Sequence, residues 1–324
     1  LIIVVAIGSF ILYKNSQKFP IPEGESVIKS ETATIGNSNR TILETDGTKH
    51  SIPLDEIRQG CFGRDCIPSV DEPVFVSAAE ANEILPNDTV GIGLDYKGEE
   101  RFYPFNMLVT REIVNDTIDD EPIVVTYCPL CGTGIVFKRK IEDRVLEFGV
   151  SGMLWQSNLL MYNRESDENK ISLWSQVLGE AVLGVDTGIK LPIISSDIIR
   201  YTDWVSKHPK TAVLNTGRIG DPYGGDYYRV ARSFDPDFDE SNSPLSPTEQ
   251  VLGIEINGKY KAYKKDALDT GVTLDEFSGL TIKIERKENG EITITNNTTG
   301  EDIPIVEGFW FSWLAVHPET ELLK

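Results

Sequence analysis

The sequence predicts a β-rich α+β protein with short helices, made of two related units that follow an N-terminal transmembrane helix. Three observations lead to this prediction. Two segments with the same order of elements recur roughly 110 to 160 residues apart, the chain between them is rich in β-branched and aromatic runs, and the first 13 residues are almost entirely apolar. A chain of 324 residues forms one large domain or two ordinary ones.

The N-terminal segment LIIVVAIGSFILY has no polar stripe, which favours lipid on every side. As a helix it would span roughly 20 Å, whereas a bilayer core needs about 20 residues. Because the chain starts at Leu1, we interpret residues 1–15 as the end of a transmembrane anchor. A signal-peptide core and a buried helix are the alternatives.

Residues 16–60 lack periodicity and are rich in Pro, Gly, Ser, Thr and Asn, so an extended tether is expected. A larger β-rich unit follows at 61–232, then an acidic Pro/Ser linker at 233–248 and a smaller related unit at 249–324. Lys14 and Lys18 would favour a cytoplasmic domain, but large domains translocate regardless of charge, and we expect an extracytoplasmic one. Five sequons are candidate glycosylation sites: Asn39, Asn87, Asn115, Asn296 and Asn297.

Two segments indicate an internal duplication. The first runs from Val90 through a turn at Lys97-Gly98 to Leu108, and the second runs from Leu252 through Asn257-Gly258 to Leu268. Each is typical of strand, tight turn, strand and short helix, and Asn-Gly is a strong hairpin signal. The word W-x-x-x-H-P-x-T then follows each segment, beginning at Trp204 and at Trp313.

Further elements are predicted from β-branched and apolar runs. The strands are 122–127, 134–137, 145–148, 281–284 and 292–295, and the short helices are 78–85 and 201–207.

The charge balance of 31 − 51 = −20 excludes nucleic acid as a partner, because clustered cations are too few to neutralise phosphates. It also argues against adsorption to an anionic membrane through basic patches. The expected partners are the membrane, through the N-terminal helix, and other envelope proteins.

Cys128 and Cys131 lie in the word CPLCGT between two predicted strands. This spacing is typical of a metal knuckle for copper or zinc, in which a glycine of positive φ lets backbone N–H groups face the sulfurs. A redox dithiol, which is more usual at a helix N-terminus, and a local disulfide are the alternatives. Two buried apolar side chains would also account for the pair.

Cys61 and Cys66 are separated by four residues in a Gly-containing loop, and a local disulfide is the first interpretation. A zinc ion shared by all four cysteines is the second.

The region 149–176 interleaves polar and aromatic residues, as in the floor of a pocket or a buried hydrogen-bond network. A packed β-core is the other interpretation, with methionine as filler rather than as a copper ligand. The candidate pocket residues are Ser151, Trp155, Asn158, Met161, Arg164, Trp174 and Gln176.

His208 and His317 each precede a proline, which favours a turn-fixing role over metal ligation. No nucleophile elbow, dinucleotide fingerprint or P-loop is present in the sequence, which leaves a hydrolase as a distant alternative.

Several rare words, in order, resemble the uncharacterised "domain of unknown function 3179" family. They are EIVND from Glu112, VTYCPLCGT from Val125, FGVSG from Phe148, LMY from Leu160, SLWSQ from Ser172 and FWFSW from Phe309. The resemblance covers roughly residues 65 to 320 and implies a secreted or membrane-anchored bacterial or archaeal protein. Arg111 stands where the family pattern has His, Asn163 stands where it has Asp, and residues 166–171 lengthen a gap. If the family uses that His and Asp for chemistry, this chain lacks them.

No complete catalytic constellation is visible, and no catalytic residue is assigned. The sequence therefore favours a membrane-anchored, extracytoplasmic envelope protein that acts as a structural or interaction subunit. The alternative is a soft-metal or dithiol protein that uses Cys128 and Cys131.

Overall fold

The computed structural model describes residues 21–22, 27–35, 38–222, 227–234 and 239–323. Within them strands are the main regular structure, and the helices are few and short. The strands of the first half are β1 (Val27–Ile35), β2 (Ser38–Thr45), β3 (Thr48–His50), β4 (Arg58–Gln59), β5 (Phe75–Ser77), β6 (Val90–Tyr96), β7 (Glu99–Pro104), β8 (Ile113–Ile118), β9 (Glu121–Cys128), β10 (Thr133–Lys138), β11 (Lys140–Ile141), β12 (Arg144–Val145), β13 (Phe148–Trp155) and β14 (Asn158–Asn163). Those of the second half are β15 (Ser172–Ser175), β16 (Glu180–Gly184), β17 (Ile193–Ile194), β18 (Asp197–Arg200), β19 (Ala212–Leu214), β20 (Gln250–Ile256), β21 (Lys259–Lys264), β22 (Gly271–Phe277), β23 (Leu280–Arg286), β24 (Ile292–Asn296), β25 (Val306–Phe309) and β26 (Glu321–Leu323).

The helices are short. The α-helices are α1 (Ala78–Ala81), α2 (Phe105–Leu108), α3 (Tyr201–Lys207), α4 (Tyr227–Phe234) and α5 (Trp310–Val316), and the 3-10 helices are Leu54–Glu56, Glu168–Lys170 and Lys265–Ala267.

Four sheets of three or more strands form the body. Sheet I has the order β1-β2-β3-β16-β15-β14-β13-β4, and sheet II has the order β26-β21-β20-β25-β10-β9-β8 with β17 also beside β10. Sheet III is β18-β6-β7-β19-β5, and sheet IV is the antiparallel β22-β23-β24. The largest apolar core includes residues of sheets I and II.

One arrangement of strands occurs in both predicted units, 61–232 (unit 1) and 249–324 (unit 2). In unit 1, β18 pairs antiparallel with β6, β6 pairs antiparallel with β7, and β7 pairs parallel with β19, which follows α3. In unit 2, β25, β20, β21 and β26 make the same pairings in the same order, and α5 precedes β26. A three-stranded antiparallel insertion follows the hairpin in both units, β8-β9-β10 in unit 1 and β22-β23-β24 in unit 2.

Side-chain contacts are repeated at matching positions. The Tyr103 hydroxyl donates to Asp116 Oδ2 at 2.6 Å, and the Tyr263 hydroxyl donates to Asp275 Oδ2 at 2.9 Å. A Cβ at Gly93 would lie 2.4 Å from the Trp204 ring, and one at Gly253 would lie 2.3 Å from the Trp313 ring. Only glycine leaves room for the indole at these two positions, since interiors are close-packed.

The two units share one sheet. Strand β10, from the unit 1 insertion, pairs with β25 of unit 2 through Gly134 and Glu307. In the reciprocal direction, the backbone N–H of Ile292 at the start of β24 donates to Asp197 Oδ1 at 2.8 Å in β18 of unit 1. Each unit therefore supplies part of the other's surroundings.

The predicted fold class needs correction in one part. Its β-rich character with short helices is confirmed, since the described helices have at most eight residues. Among the described residues no helix is long and apolar enough to cross a membrane, so the transmembrane part of the prediction is wrong for them. Residues 1–15, to which the anchor was assigned, lie outside the described residues.

The tether prediction also needs correction, because its described part contains β1, β2 and β3 of sheet I. β3 pairs with β16 through His50 and Leu183. Two smaller element predictions differ as well. The helix at 78–85 ends at Ala81, and the strand at 145–148 is broken between Val145 and Phe148.

Candidate functional site

The Cys128–Cys131 turn joins two central strands of sheet II. As predicted from the sequence, β9 ends at Cys128 and β10 begins at Thr133. The Cys131 N–H donates to the Cys128 carbonyl at 3.2 Å, which closes the turn. Gly132 has φ +59° and an added Cβ would lie 2.8 Å from the Phe309 ring, so glycine is required on both counts.

The two thiols converge inside the protein. Cys128 is 2% exposed and Cys131 is fully buried. Their sulfurs lie 3.9 and 3.2 Å from the same acceptor, the Ser157 carbonyl oxygen. The Ser157 hydroxyl donates to the Ala231 carbonyl at 2.8 Å, so α4 lies beside the turn.

A buried polar network fixes the turn from beneath. The Gln176 carbonyl oxygen accepts from the Thr133 hydroxyl at 2.7 Å and from the Asn158 amide at 2.9 Å. The Gln176 amide donates to the Thr126 hydroxyl at 3.1 Å. Because buried networks of this kind hold one arrangement, the geometry of the thiols is set before any ligand arrives.

The pKa values of the two thiols are shifted in opposite directions by their surroundings. Burial raises the pKa of Cys128 well above its usual range, and the adjacent Cys131 sulfur raises it further. Burial also opposes ionisation of Cys131, but the Cys128 thiol, the Ser312 hydroxyl and the Asn158 amide outweigh it and lower the pKa of Cys131. Burial and the nearby Cys128 raise the pKa of Glu112 well above its usual range.

The donor set limits which metals fit. Among the described residues no group of three or more His, Cys, Asp and Glu side chains is placed to hold a metal ion. A tetrahedral zinc ion needs four such ligands, or three with a water. The two thiols alone fit a soft ion of low coordination number, such as Cu(I).

The seven predicted pocket residues do not form one pocket in the structure. Asn158 and Gln176 belong to the network beneath the thiols. Ser151, Met161 and Trp174 are almost fully buried within sheet I, where the Ser151 hydroxyl donates to the Leu160 carbonyl and Trp174 donates to Asn163.

Trp155 and Arg164 form polar contacts that do not involve the thiols. Trp155 donates to Glu56 at 2.8 Å. Arg164 lies in an acidic cluster with Asp65, Asp71 and Glu147. The cluster fixes the loop that follows Cys66 against β14, which is a structural role.

The second cysteine pair forms a disulfide, Cys61–Cys66, as predicted. The four-cysteine zinc site is therefore wrong, because two of its ligands are bonded to each other.

The sequons differ in exposure. Asn87 and Asn297 are exposed and Asn296 is half-buried. Asn115 is buried, with its amide bonded to Asp71 and to the Phe148 backbone, so it is not accessible for glycosylation in the folded chain. Asn39 lies in β2, and its side chain is outside the described set.

Sequence reasoning missed five residues around the thiols: Glu112, Thr126, Thr133, Ser157 and Ser312. All five stood within segments marked in the sequence: Glu112 in EIVND, Thr126 and Thr133 in VTYCPLCGT, Ser157 in the region 149–176 and Ser312 in FWFSW. Their convergence was not predictable from these segments, because it depends on strand pairing, which places Ile113 beside Thr126 and Cys128 beside Thr133.

Comparison with known proteins gives one match. Residues 64–302 match the model of a family described as "Protein of unknown function (DUF3179)". No curated protein and no solved structure matches the chain.

Proposed function

The chain belongs to the DUF3179 family, and we propose that this member is an extracytoplasmic envelope protein that binds a soft monovalent metal ion, Cu(I), between Cys128 and Cys131. The observation that carries the proposal is the convergence of both buried sulfurs on one carbonyl oxygen, at 3.9 and 3.2 Å.

Soft thiolate donors favour Cu(I) over hard cations. Two donors on one turn suit an ion that accepts two-coordinate binding, and the buried, apolar surroundings would protect the bound ion from oxidation. Metal binding would release the two thiol protons, as it does at other cysteine sites. The network around Gln176 would keep the sulfurs in place without further rearrangement.

The Cys61–Cys66 disulfide supports a location outside the cytoplasm, because disulfides persist mainly in oxidising compartments. The buried Cys128–Cys131 pair is thiol in the same chain, so the two pairs have separate roles in this proposal.

Anaerobic titration of the reduced chain with Cu(I), in competition with a chromophoric Cu(I) chelator, tests the proposal. We expect one tightly held ion per chain and at least a 100-fold weaker affinity for Cys128→Ser and for Cys131→Ser. The matched control, Cys61→Ser/Cys66→Ser, should retain the wild-type affinity. A reduced, folded chain that loses every copper ion to the chelator would overturn the proposal.

A dithiol–disulfide couple is the second candidate, favoured by the Glu112 carboxyl close to Cys128. A partner disulfide would accept two electrons and two protons from the two thiols and leave as a dithiol, while a Cys128–Cys131 bond forms. Equilibration with glutathione redox buffers, followed by thiol trapping, distinguishes it from metal binding. A single two-electron transition without copper retention would favour this candidate.

The predicted role as a structural or interaction subunit of an envelope assembly is the competing proposal. It would be favoured if the thiols neither retained copper nor cycled, and if the chain co-purified with other envelope proteins.

A further inference from the structure

The two units carry cavities at matching positions. The cavity of unit 1 is lined by Gly93, Asp95, Trp204 and His208, and that of unit 2 by Gly253, Glu255, Trp313 and His317. The hairpins β6–β7 and β20–β21 align residue for residue, so the four lining positions correspond one to one.

In unit 1 ionic contacts occupy the wall of the cavity. His208 Nδ1 lies 2.9 Å from Glu100 Oε1, and Nε2 lies 2.7 Å from Glu291 Oε1. Lys287 Nζ forms an ion pair with the second carboxylate oxygen of Glu291, Oε2, at 2.5 Å. The cavity that remains has a volume of about 220 Å³ and a strongly charged lining.

In unit 2 the residue that corresponds to Glu100 is Tyr260. Its ring stacks on His317, with centroids 3.8 Å apart, and Trp313 lies against the same imidazole at 4.2 Å. Leu178, Leu191 and Val306 complete an apolar wall. The cavity is larger, at about 380 Å³, within the usual range for small-molecule sites.

The charges in this cavity are balanced. Lys190 Nζ lies 2.5 Å from Glu255 Oε2, and both groups are partly buried. A ligand with a single charge would compete with one member of this pair and leave the other charge uncompensated, which is unfavourable in a partly dry site. An uncharged ligand leaves the pair intact and gains from the apolar and aromatic walls.

We propose that the cavity of unit 2 is a binding site for an uncharged, ring-bearing small molecule, and that the contacts of His208 make the corresponding cavity of unit 1 too small and too charged for such a ligand. This proposal is independent of copper binding, because none of the lining residues belongs to the thiol site.

Calorimetric titration of the full chain with p-cresol, a neutral ring compound, tests the proposal. We expect saturable 1:1 binding with a Kd on the order of 1 mM or tighter. Benzoate, benzylamine and the zwitterion phenylalanine, which have rings of the same size, should bind at least 10-fold more weakly.

The decisive variant is Tyr260→Glu, which introduces the residue that unit 1 carries at this position. It should weaken p-cresol binding at least 10-fold, while the matched control Glu100→Gln leaves the affinity unchanged. If Tyr260→Glu melts without cooperativity, Ile193→Phe at the half-buried rim gives a second test, since it narrows the cavity.

Three results would overturn the proposal. They are the absence of saturable p-cresol binding, equal affinity for the charged rings, and equal loss of affinity in Glu100→Gln.

Discussion

Units 1 and 2 build the same Trp-His turn but surround its histidine differently. The Trp204 indole donates to Thr211 at 3.0 Å and the Trp313 indole donates to Thr320 at 2.9 Å. The His208 and His317 N–H groups both donate to the carbonyl of the tryptophan four residues earlier. Both imidazoles lie against the tryptophan of their own turn, with centroids 3.7 Å apart for His208 and 4.2 Å apart for His317. His208 also bonds to two carboxylates, whereas His317 stacks on the ring of Tyr260.

The difference indicates which parts of a duplicated unit the fold requires. The indole, the glycine beneath it and the helix end are the same in both units because they pack and close the backbone. The partners of the imidazole line a cavity, and there the two copies differ in polarity and in volume.

The largest expected effect is at the glycines beneath the two tryptophans. Gly93→Ala and Gly253→Ala should each destabilise the chain by about 3 kcal/mol or more, because the added Cβ would lie within 2.4 Å of a buried indole. Chemical denaturation measures both losses. Val272→Ala, at an exposed position, serves as the control. A large loss at only one glycine would contradict the equivalence of the units.

The second effect depends on pH and belongs to unit 1 alone, since Val306 of unit 2 corresponds to Asp197. Burial raises the pKa of Asp197 to about 7, and the nearby Glu307 carboxylate also raises it. The Ile292 N–H and Lys265 lower this pKa but do not outweigh burial. A raised carboxyl pKa gives stability that is complete below the ordinary value and is lost as pH rises through 7. Asp197→Asn should therefore gain stability relative to the wild type as pH rises, and its advantage should be about 1–3 kcal/mol larger at pH 8 than at pH 5. Thermal melts at both pH values measure this, and an advantage no larger at pH 8 than at pH 5 would refute it.

The third prediction compares the loss of stability at the two buried tyrosines. Tyr103→Phe and Tyr263→Phe each remove one hydrogen bond to a carboxylate and should each destabilise by roughly 1–2 kcal/mol. The loss should be smaller for Tyr263, because Lys261 lies 2.6 Å from Asp275 whereas Arg101 lies 3.4 Å from Asp116. Denaturant midpoints decide the order, and the reverse order would show that these cations do not compensate.

The smallest effect concerns His208. Burial lowers its pKa, but the hydrogen bonds with Glu100 and Glu291 outweigh burial and raise it. The contribution of the imidazolium is therefore complete below about pH 6.5 and is lost as pH rises through the raised pKa. His208→Gln should destabilise more at pH 6 than at pH 9, by less than about 1 kcal/mol because the site is partly solvated, while the lost stacking on Trp204 contributes equally at both pH values. A loss that is the same at both pH values would exclude an ionic role.

The sequence predicts local features of this fold well because they depend on nearby residues. The two hairpins, the helix at 201–207 and the strands on both sides of CPLCG follow from turn residues and β-branched runs. The prediction of a helix at 78–85 was too long, because only its first turn is stabilised locally, by the Ser77–Glu80 capping box. The pairing of strands within the sheets was not predicted, for a different reason. The pairing of β10 with β25 and of β3 with β16 depends on packing between distant segments.

The candidate site was partly predictable. The cysteine spacing identified the turn, and Asn158 and Gln176 were selected from a dense polar and aromatic run. Met161 came from the same run but lies on the opposite side of β14 from Asn158, because alternate residues of a strand face opposite sides of the sheet. Trp174 donates to Asn163, and Arg164 lies beyond the end of β14 in the acidic cluster. Composition alone cannot separate the two faces of a strand. The cavity of unit 2 also escaped prediction, since its walls come from two separate segments, 177–193 and 253–317.

The pairing of Gly134 with Glu307 has a consequence for synthesis. Gly134 in β10 is translated roughly 170 residues before its partner Glu307 in β25. At ordinary elongation rates this interval takes about 10–35 s. Val136 and Phe137 of the same strand pair with β17, which is translated much earlier. The edge that stays open during that interval is therefore short and lies at Gly134, and short open edges limit pairing with other chains.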